Sequence, residues 1–149
     1  MVTTSTLDTV IELDVRTDIL EVSRVLDAVE GMGAARGVEG ASTFAMKIAI
    51  DEVLVNVIRH AYPEGGEHVA HIRLEILPEL VRLEVSDDGR PFDPCSIGPP
   101  DTTGPLDKRS IGGLGVHLVR QFMDEVQYRR VGDRNVVSMI KRRAKKSET

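Results

Sequence analysis

Apolar and polar residues alternate along Thr9-Val-Ile-Glu-Leu-Asp-Val15, and this period of two predicts a strand. From Asp18 to about Gly37, Ile19, Leu20, Val22, Val25, Leu26 and Val29 return at helical spacing. Thr17 or Asp18 reads as the N-cap, and Glu30-Gly-Met-Gly33 weakens or ends the helix. Val38 to Ser42 reads as a turn, and Ser42 or Thr43 as the cap of a long helix that stops before Pro63. His68–Ile76 and Leu80–Val85 alternate again and predict a hairpin turning at Pro78-Glu79. Between Asp87 and about Ile111 no period holds while prolines and glycines recur, and a loop this long in a compact domain is usually functional or mobile. A helix with a glycine-rich start follows at Gly113–Met123, then strands Glu125–Arg130 and Asn135–Lys141 joined at Gly132-Asp133. This order predicts an α+β fold: a two-layer α/β sandwich whose mixed, mostly antiparallel sheet carries helices on one face. No repeat or internal boundary divides residues 1–149, which read as a single domain.

The central helix is apolar almost all the way round. Phe44, Ala45, Ile48, Ile50, Val53, Leu54, Val55, Val57 and Ile58 leave no broad polar face, so most of it is expected to be buried. Glu52, Asn56 and Arg59 nevertheless fall at i, i+4 and i+7 and form one polar stripe. Burying a carboxylate or an amide without a partner costs roughly 2 kcal/mol or more. The stripe is therefore expected to line a cavity or hold a ligand; a half-exposed helix edge is the plainer alternative.

Composition narrows the classes. A chain of 149 residues with 41% hydrophobic and 29% charged residues suits one globular, soluble domain. The net charge of −5 and an aromatic content of 3% argue against a nucleic-acid footprint or a base-stacking platform. The basic run Lys141–Lys146 reads as a solvated end, and the single Cys95 as an incidental loop thiol. No apolar run is long enough to span a membrane, and the first residues lack a basic segment followed by an apolar one. A cytoplasmic location with no leader is expected.

Three features fall at element edges. Glu52 and Asn56 lie on the central helix, Ser86-Asp87-Asp88-Gly89-Arg-Pro91-Phe92-Asp93 follows a strand, and Gly112-Gly113-Leu114-Gly115 opens a helix. Glycines at a helix start leave backbone N–H groups approachable, where the helix dipole favours phosphate. Taken alone, Gly-Gly-x-Gly is more often a flexible link and Asp-Asp-Gly a turn.

Glu52-x-x-x-Asn56, Asp87-x-Gly89 and Gly113-x-Gly115 stand in the order and spacing of the N, G1 and G2 boxes. Here the chain resembles the GHKL superfamily of ATPases with the Bergerat fold, which includes gyrase, chaperone, histidine-kinase and mismatch-repair ATPases. Asp51-Glu-Val-Leu-Val-Asn56 with His60-Ala-Tyr62, and Ser86-Asp-x-Gly-x-Pro-Phe-Asp93, are most similar to the anti-sigma-factor serine/threonine protein kinases. The resemblance runs from about residue 10 to 143, so that 1–149 reads as one histidine-kinase-like ATPase domain.

The resemblance implies ATP and Mg²⁺ as cofactors and assigns roles. Asn56 would hold Mg²⁺ through its side-chain oxygen. Asp87 would accept a hydrogen bond from the adenine amino group, Gly89 would let the base lie close, and Pro91 and Phe92 would border it. Gly112, Gly113, Leu114, Gly115 and Val116 would present N–H groups to the phosphates, with Pro94–Ile111 as a lid. Glu52 would act as general base. Arg59, Lys108 and Arg109 are candidate cations. Two positions depart from the family pattern: Pro91 replaces a glycine, and Asn135 stands where several relatives carry threonine. His117 reads as structural, and His68 and His71, three apart, do not make a metal pair.

The function so implied is an anti-sigma factor and serine protein kinase that phosphorylates a STAS-domain anti-anti-sigma protein and restrains a sigma factor. It would work as a homodimer, without nucleic-acid or membrane partners. The alternative is an ATP-binding switch module that binds partners without transferring phosphate. Glu52 favours the enzyme, because a pure binder needs no base. The catalytic half of a histidine kinase ranks lower, since no helical segment with a phospho-accepting histidine precedes the domain.

Overall fold

Each alternating stretch puts its branched apolar residues on one side, and those sides can be buried together only by pairing in one sheet. The computed structural model of the chain describes residues 2–4, 9–94 and 113–144. In chain order the elements are β1 (Val2–Thr4), β2 (Thr9–Arg16), α1 (Glu21–Ala35), α2 (Gly40–Asn56), a π-helical turn (Val57–Ala61), β3 (Val69–Ile76), β4 (Leu80–Asp87), α3 (Gly113–Phe122), β5 (Glu125–Val131) and β6 (Arg134–Arg142). The sheet runs β1-β2-β3-β4-β6-β5.

Every strand pairing described is antiparallel, so the predicted mixed sheet is corrected. The reason is the last hairpin: β5 takes the edge and β6 turns back to lie antiparallel against β4, with Val85 opposite Val137 and Leu83 opposite Met139. β1, three residues long, is too short for its period to show in the sequence.

Val15, Ile72, Leu74, Leu83, Val85 and Met139 on one sheet face meet Met46, Ile50 and Leu54 of α2 and Val25 and Val29 of α1, all fully buried. α2 packs on β4 and β6, with α1 and α3 on either side. The opposite sheet face carries polar pairs, among them part-buried ion pairs of Glu75 with Arg73 and Arg82 at 3.0 Å and a hydrogen bond between Asp14 and His71 at 2.8 Å. Such pairs contribute about 1 kcal/mol or less each. No helix among the described residues is long and apolar enough to cross a membrane.

Helix starts differ from their predicted caps. α1 begins at Glu21, and Asp18 acts earlier by accepting the Leu20 N–H at 3.0 Å. α1 passes through Gly31 and Gly33 to Ala35. At Gly33 a side chain would press on the Thr43 hydroxyl 3.1 Å away, so the glycine lets α2 come close. α2 starts at Gly40, and Ser42 lies inside the helix and donates to the Glu39 carboxylate.

Glu39 also anchors the end of the sheet. Arg143 donates from Nε to Glu39 at 3.2 Å and through its other nitrogens to the carbonyls of Leu77 and Gly37, while the Ala144 N–H reaches Glu39 at 3.1 Å. Burial alone would raise the Glu39 pKa. The hydrogen bonds from Ser42, backbone N–H groups and Arg143 outweigh it and hold the carboxyl down at about 2. A depressed carboxyl pKa contributes stability that is complete above the ordinary glutamate value of about 4.3 and is lost as pH falls toward about 2. In urea titrations Glu39→Gln is therefore expected to be less stable than wild type at pH 7. The difference should shrink as the pH is lowered through 4 to 3.

Candidate functional site

α2 is regular to Asn56, and the backbone then widens into the π turn of Val57–Ala61. A π turn closes its hydrogen bonds at i→i+5, so the residues after Asn56 lag behind the α-helical phase. The predicted stripe holds for its first two members: Glu52 is half-buried and Asn56 is 4% exposed. Arg59 comes out exposed, and Ala61 turns inward. Burial raises the Glu52 pKa, Asp51 adds to the rise and the charge of Arg59 offsets part of it. A carboxylate made more basic by desolvation suits a proton acceptor.

Asn56 places a buried amide nitrogen, Nδ2, without a hydrogen-bond partner among the described residues. Amide oxygen and nitrogen are interchangeable by a flip, so the geometry establishes one unpaired amide edge on the cavity wall. Mg²⁺ is commonly held by one or two protein oxygens plus phosphates and waters, and that edge fits such a single ligand. Among the described residues no cluster of His, Cys, Asp or Glu could hold a metal by itself.

The second wall is the end of β4. Alternation turns Asp87 toward the helices and Asp88 to the open face. Asp87 is 3% exposed, and its Oδ1 accepts the Gly89 N–H at 2.9 Å and Asn135 Nδ2 at 3.0 Å. A Cβ on Gly89 would stand 2.6 Å from the Ala61 Cβ and closer still to the Ala61 carbonyl oxygen. In this structure it is Ala61 that requires glycine at 89. The loop is laced to the π turn: Arg90 N donates to Ala61 O at 2.9 Å, Arg90 Nε to His60 O at 2.8 Å, and the Tyr62 hydroxyl to Asp88 at 2.6 Å. That last bond lowers the Asp88 pKa, while burial and Asp88 raise that of Tyr62. His60 stacks on half-buried Phe92 at 5.1 Å, and Pro91 is exposed.

Asn56, Asp87, Phe92 and Asn135 converge on one cavity, completed by Val53, Val57, Ala61, Pro94 and Val137. Its free volume in this conformation is about 10 Å³, so a purine ring enters only if a wall moves aside. A larger concavity of about 570 Å³ lies on the open sheet face among Asp14, His71, Ser86, Asp88 and Arg134. It lacks Asn56 and Asp87, and we place the candidate site in the smaller cavity, where those two groups meet; Glu52 lies one turn back along α2, outside its lining.

Gly113 opens α3, and Gly115 lies in its first turn, as the glycine-rich start predicts. α3 packs beside α2, with Phe122 edge-on to Phe44 at 5.4 Å. Exposed His117 lies 3.4 Å from Gln121 on the same helix. Cys95, Lys108, Arg109, Gly112 and the lid beyond Pro94 lie outside the described residues, as do the side chains of Leu114 and Val116. Sequence reasoning quoted Tyr62 without giving it a role and missed Tyr128 and Arg130. It saw Asn135 only as a departure; the sole signal was a polar residue in phase with Val137 and Met139.

The comparisons bear on the family and the fold. Residues 15–141 match the family model of the histidine kinase-like ATPase domain. The serine-protein kinases RsbW of two Staphylococcus aureus strains, MSSA476 and MW2, are each 38% identical over 85 residues, 54% of this chain and 54% of the relative. The chain thus spans about half the length of the curated relatives it matches. A crystal structure of the RsbU and RsbW domains of a Mycobacterium tuberculosis protein superposes with a TM-score of 0.65 at 13% identity, covering 93% of this chain and 33% of that one. At that identity the likeness speaks for the fold. Asn56 and Asp87 facing one cavity and a family match over residues 15–141 lead to one statement: the chain belongs to the histidine kinase-like ATPase family.

Proposed function

We propose that the chain is an ATP-dependent serine protein kinase and anti-sigma factor. It would phosphorylate a STAS-domain anti-anti-sigma protein, restrain a sigma factor, and act as a homodimer. The observation that carries this reading is the convergence of an unpaired amide edge at Asn56 and a buried carboxylate at Asp87 on one cavity, one turn along α2 from the desolvated Glu52. The RsbW name of the relatives supports the serine-kinase half.

In the proposed step the serine oxygen of the antagonist bonds to the γ-phosphorus. The bond from that phosphorus to the β,γ-bridging oxygen breaks, ADP leaves, and Glu52 takes the hydroxyl proton. Asp87 would hold the base, and the N–H groups at the start of α3 would serve the phosphates. Mg²⁺ beside Asn56 would neutralise charge on the phosphates.

The test has two arms. ATP with Mg²⁺ at about a hundred times its dissociation constant should stabilise the fold by roughly 2.7 kcal/mol, read as a rise in melting temperature. Incubation with ATP and a STAS-domain antagonist should add one phosphate to a serine, read by mass spectrometry. No thermal shift would end the nucleotide reading. A shift without transfer to any STAS partner would leave the switch module.

A further inference from the structure

The cavity between α2 and the sheet has a free volume of about 10 Å³, and its walls differ in what holds them. Val53, Val57, Ala61 and Val137 belong to the buried core, and Asp87 pairs opposite Asn135 in the sheet. Moving any of these breaks core packing or ladder bonds. Among the described residues of the lining, all are buried except Phe92, which is half-buried, so its ring forms the outer wall between cavity and solvent.

The backbone beneath that ring is fixed. The Phe92 N–H donates to Asn135 Oδ1 at 3.2 Å, and the same oxygen is held by the Tyr128 hydroxyl at 2.6 Å and Arg130 at 3.2 Å. Arg130 also donates to the Gly89 carbonyl at 2.8 Å, and prolines at 91 and 94 stiffen the chain on either side. What is left to move is the side chain, by rotation about its own bonds. A stack opposes that rotation: the rings of His60 and Phe92 lie with centroids 5.1 Å apart and planes 24° apart.

The π turn puts His60 in that place. In an unbroken α-helix, position 60 would share the face of Asn56 and turn to the cavity. The extra residue of the π turn brings Ala61 to that wall instead and leaves half-buried His60 at its rim. The His60 carbonyl accepts Arg90 Nε at 2.8 Å, so the imidazole is carried on backbone already tied to the loop.

Resting on the nucleotide-binding reading above, we propose that Phe92 is the gate of the nucleotide cavity and His60 its latch: stacked on His60 the ring closes the cavity, and nucleotide enters when the ring swings off. A site that binds only in its open state has its apparent affinity scaled by the open fraction, and the gain on opening appears in association. Loss of an aromatic stack shifts such a balance roughly two- to tenfold.

The experiment follows ATP carrying a fluorescent group on its ribose, with Mg²⁺, by stopped flow. Association and dissociation are read on wild type, His60→Ala, His60→Phe and Phe92→Ala, with melting temperatures taken in parallel. Both His60 variants keep the backbone bond to Arg90, so only the stack changes. His60→Ala is expected to speed association roughly two- to tenfold and leave dissociation unchanged. His60→Phe keeps a ring to stack and should associate at the wild-type rate. Phe92→Ala removes the gate itself, so it remains informative if His60→Ala fails to fold; it should associate at least as fast as His60→Ala. Association unchanged or slower in folded His60→Ala or Phe92→Ala would overturn the proposal. So would a gain in His60→Phe equal to that in His60→Ala, which would remove the stack as the latch. Binding by none of the four, wild type included, would instead overturn the nucleotide reading itself.

Discussion

Glu52→Gln is expected to stop phosphate transfer while nucleotide still binds. A positioned general base contributes about 10²–10⁴-fold in rate, and glutamine keeps the length and shape of the side chain without accepting the proton. Because burial already disfavours the charged form of Glu52, removing the charge does not weaken the fold. The melting temperature should hold or rise, and ATP affinity should hold or rise with one less negative charge near the phosphates. Wild-type transfer should in turn increase with pH as the raised Glu52 ionises, and fall away below that pKa. Calorimetry for affinity and mass spectrometry of the antagonist, on both proteins side by side, check this; a mutant that transfers at the wild-type rate removes Glu52 from the chemistry.

Gly89→Ala is expected to damage both fold and site. The new methyl would stand 2.6 Å from the Ala61 Cβ and nearer to its carbonyl oxygen, against backbone that cannot rotate aside. Overpacking of this kind costs roughly 1–3 kcal/mol. The loop must also lift from the π turn, which breaks the bond from Arg90 N to Ala61 O and withdraws the Gly89 N–H from Asp87. A lower urea midpoint together with at least about tenfold weaker ATP binding is the expected pair of results. Adding Ala61→Gly should restore only part, since the carbonyl remains. Unchanged stability and affinity in Gly89→Ala would show that the two backbones do not meet so closely in solution.

Much of the fold is legible in the residues because both its periods are clean. The alternation of β2, β3 and β4 and the all-apolar α2 leave one way to bury everything, with α2 against the sheet. The misses have local causes. Val2–Thr4 is too short to show a period. In Asn135-Val-Val-Ser-Met-Ile140 both sides of β6 carry apolar residues, so the phase of Asn135 with Val137 and Met139 is a weak signal, and its pairing opposite Asp87 is what shows the inward turn. The π turn follows no residue pattern and became visible only in the backbone, and with it the outward swing of Arg59. Glu52 and Asn56 stood out as a polar stripe on an apolar helix and Asp87 by resemblance, whereas the bond that holds Asp87 in place spans 48 residues and has no local trace.

The clasp between Arg143 and Glu39 joins positions 104 apart in the chain, and that separation governs when it can act. A contact so distant carries a high closure entropy until the strands between its ends are paired. It is therefore expected to close late, and Arg143→Ala should speed unfolding more than it slows folding, as stopped-flow kinetics would read. Interactions absent from the barrier slow escape from the native state without hastening arrival. The clasp is in this sense a kinetic lock: it lengthens the lifetime of the folded domain and leaves its folding rate nearly untouched.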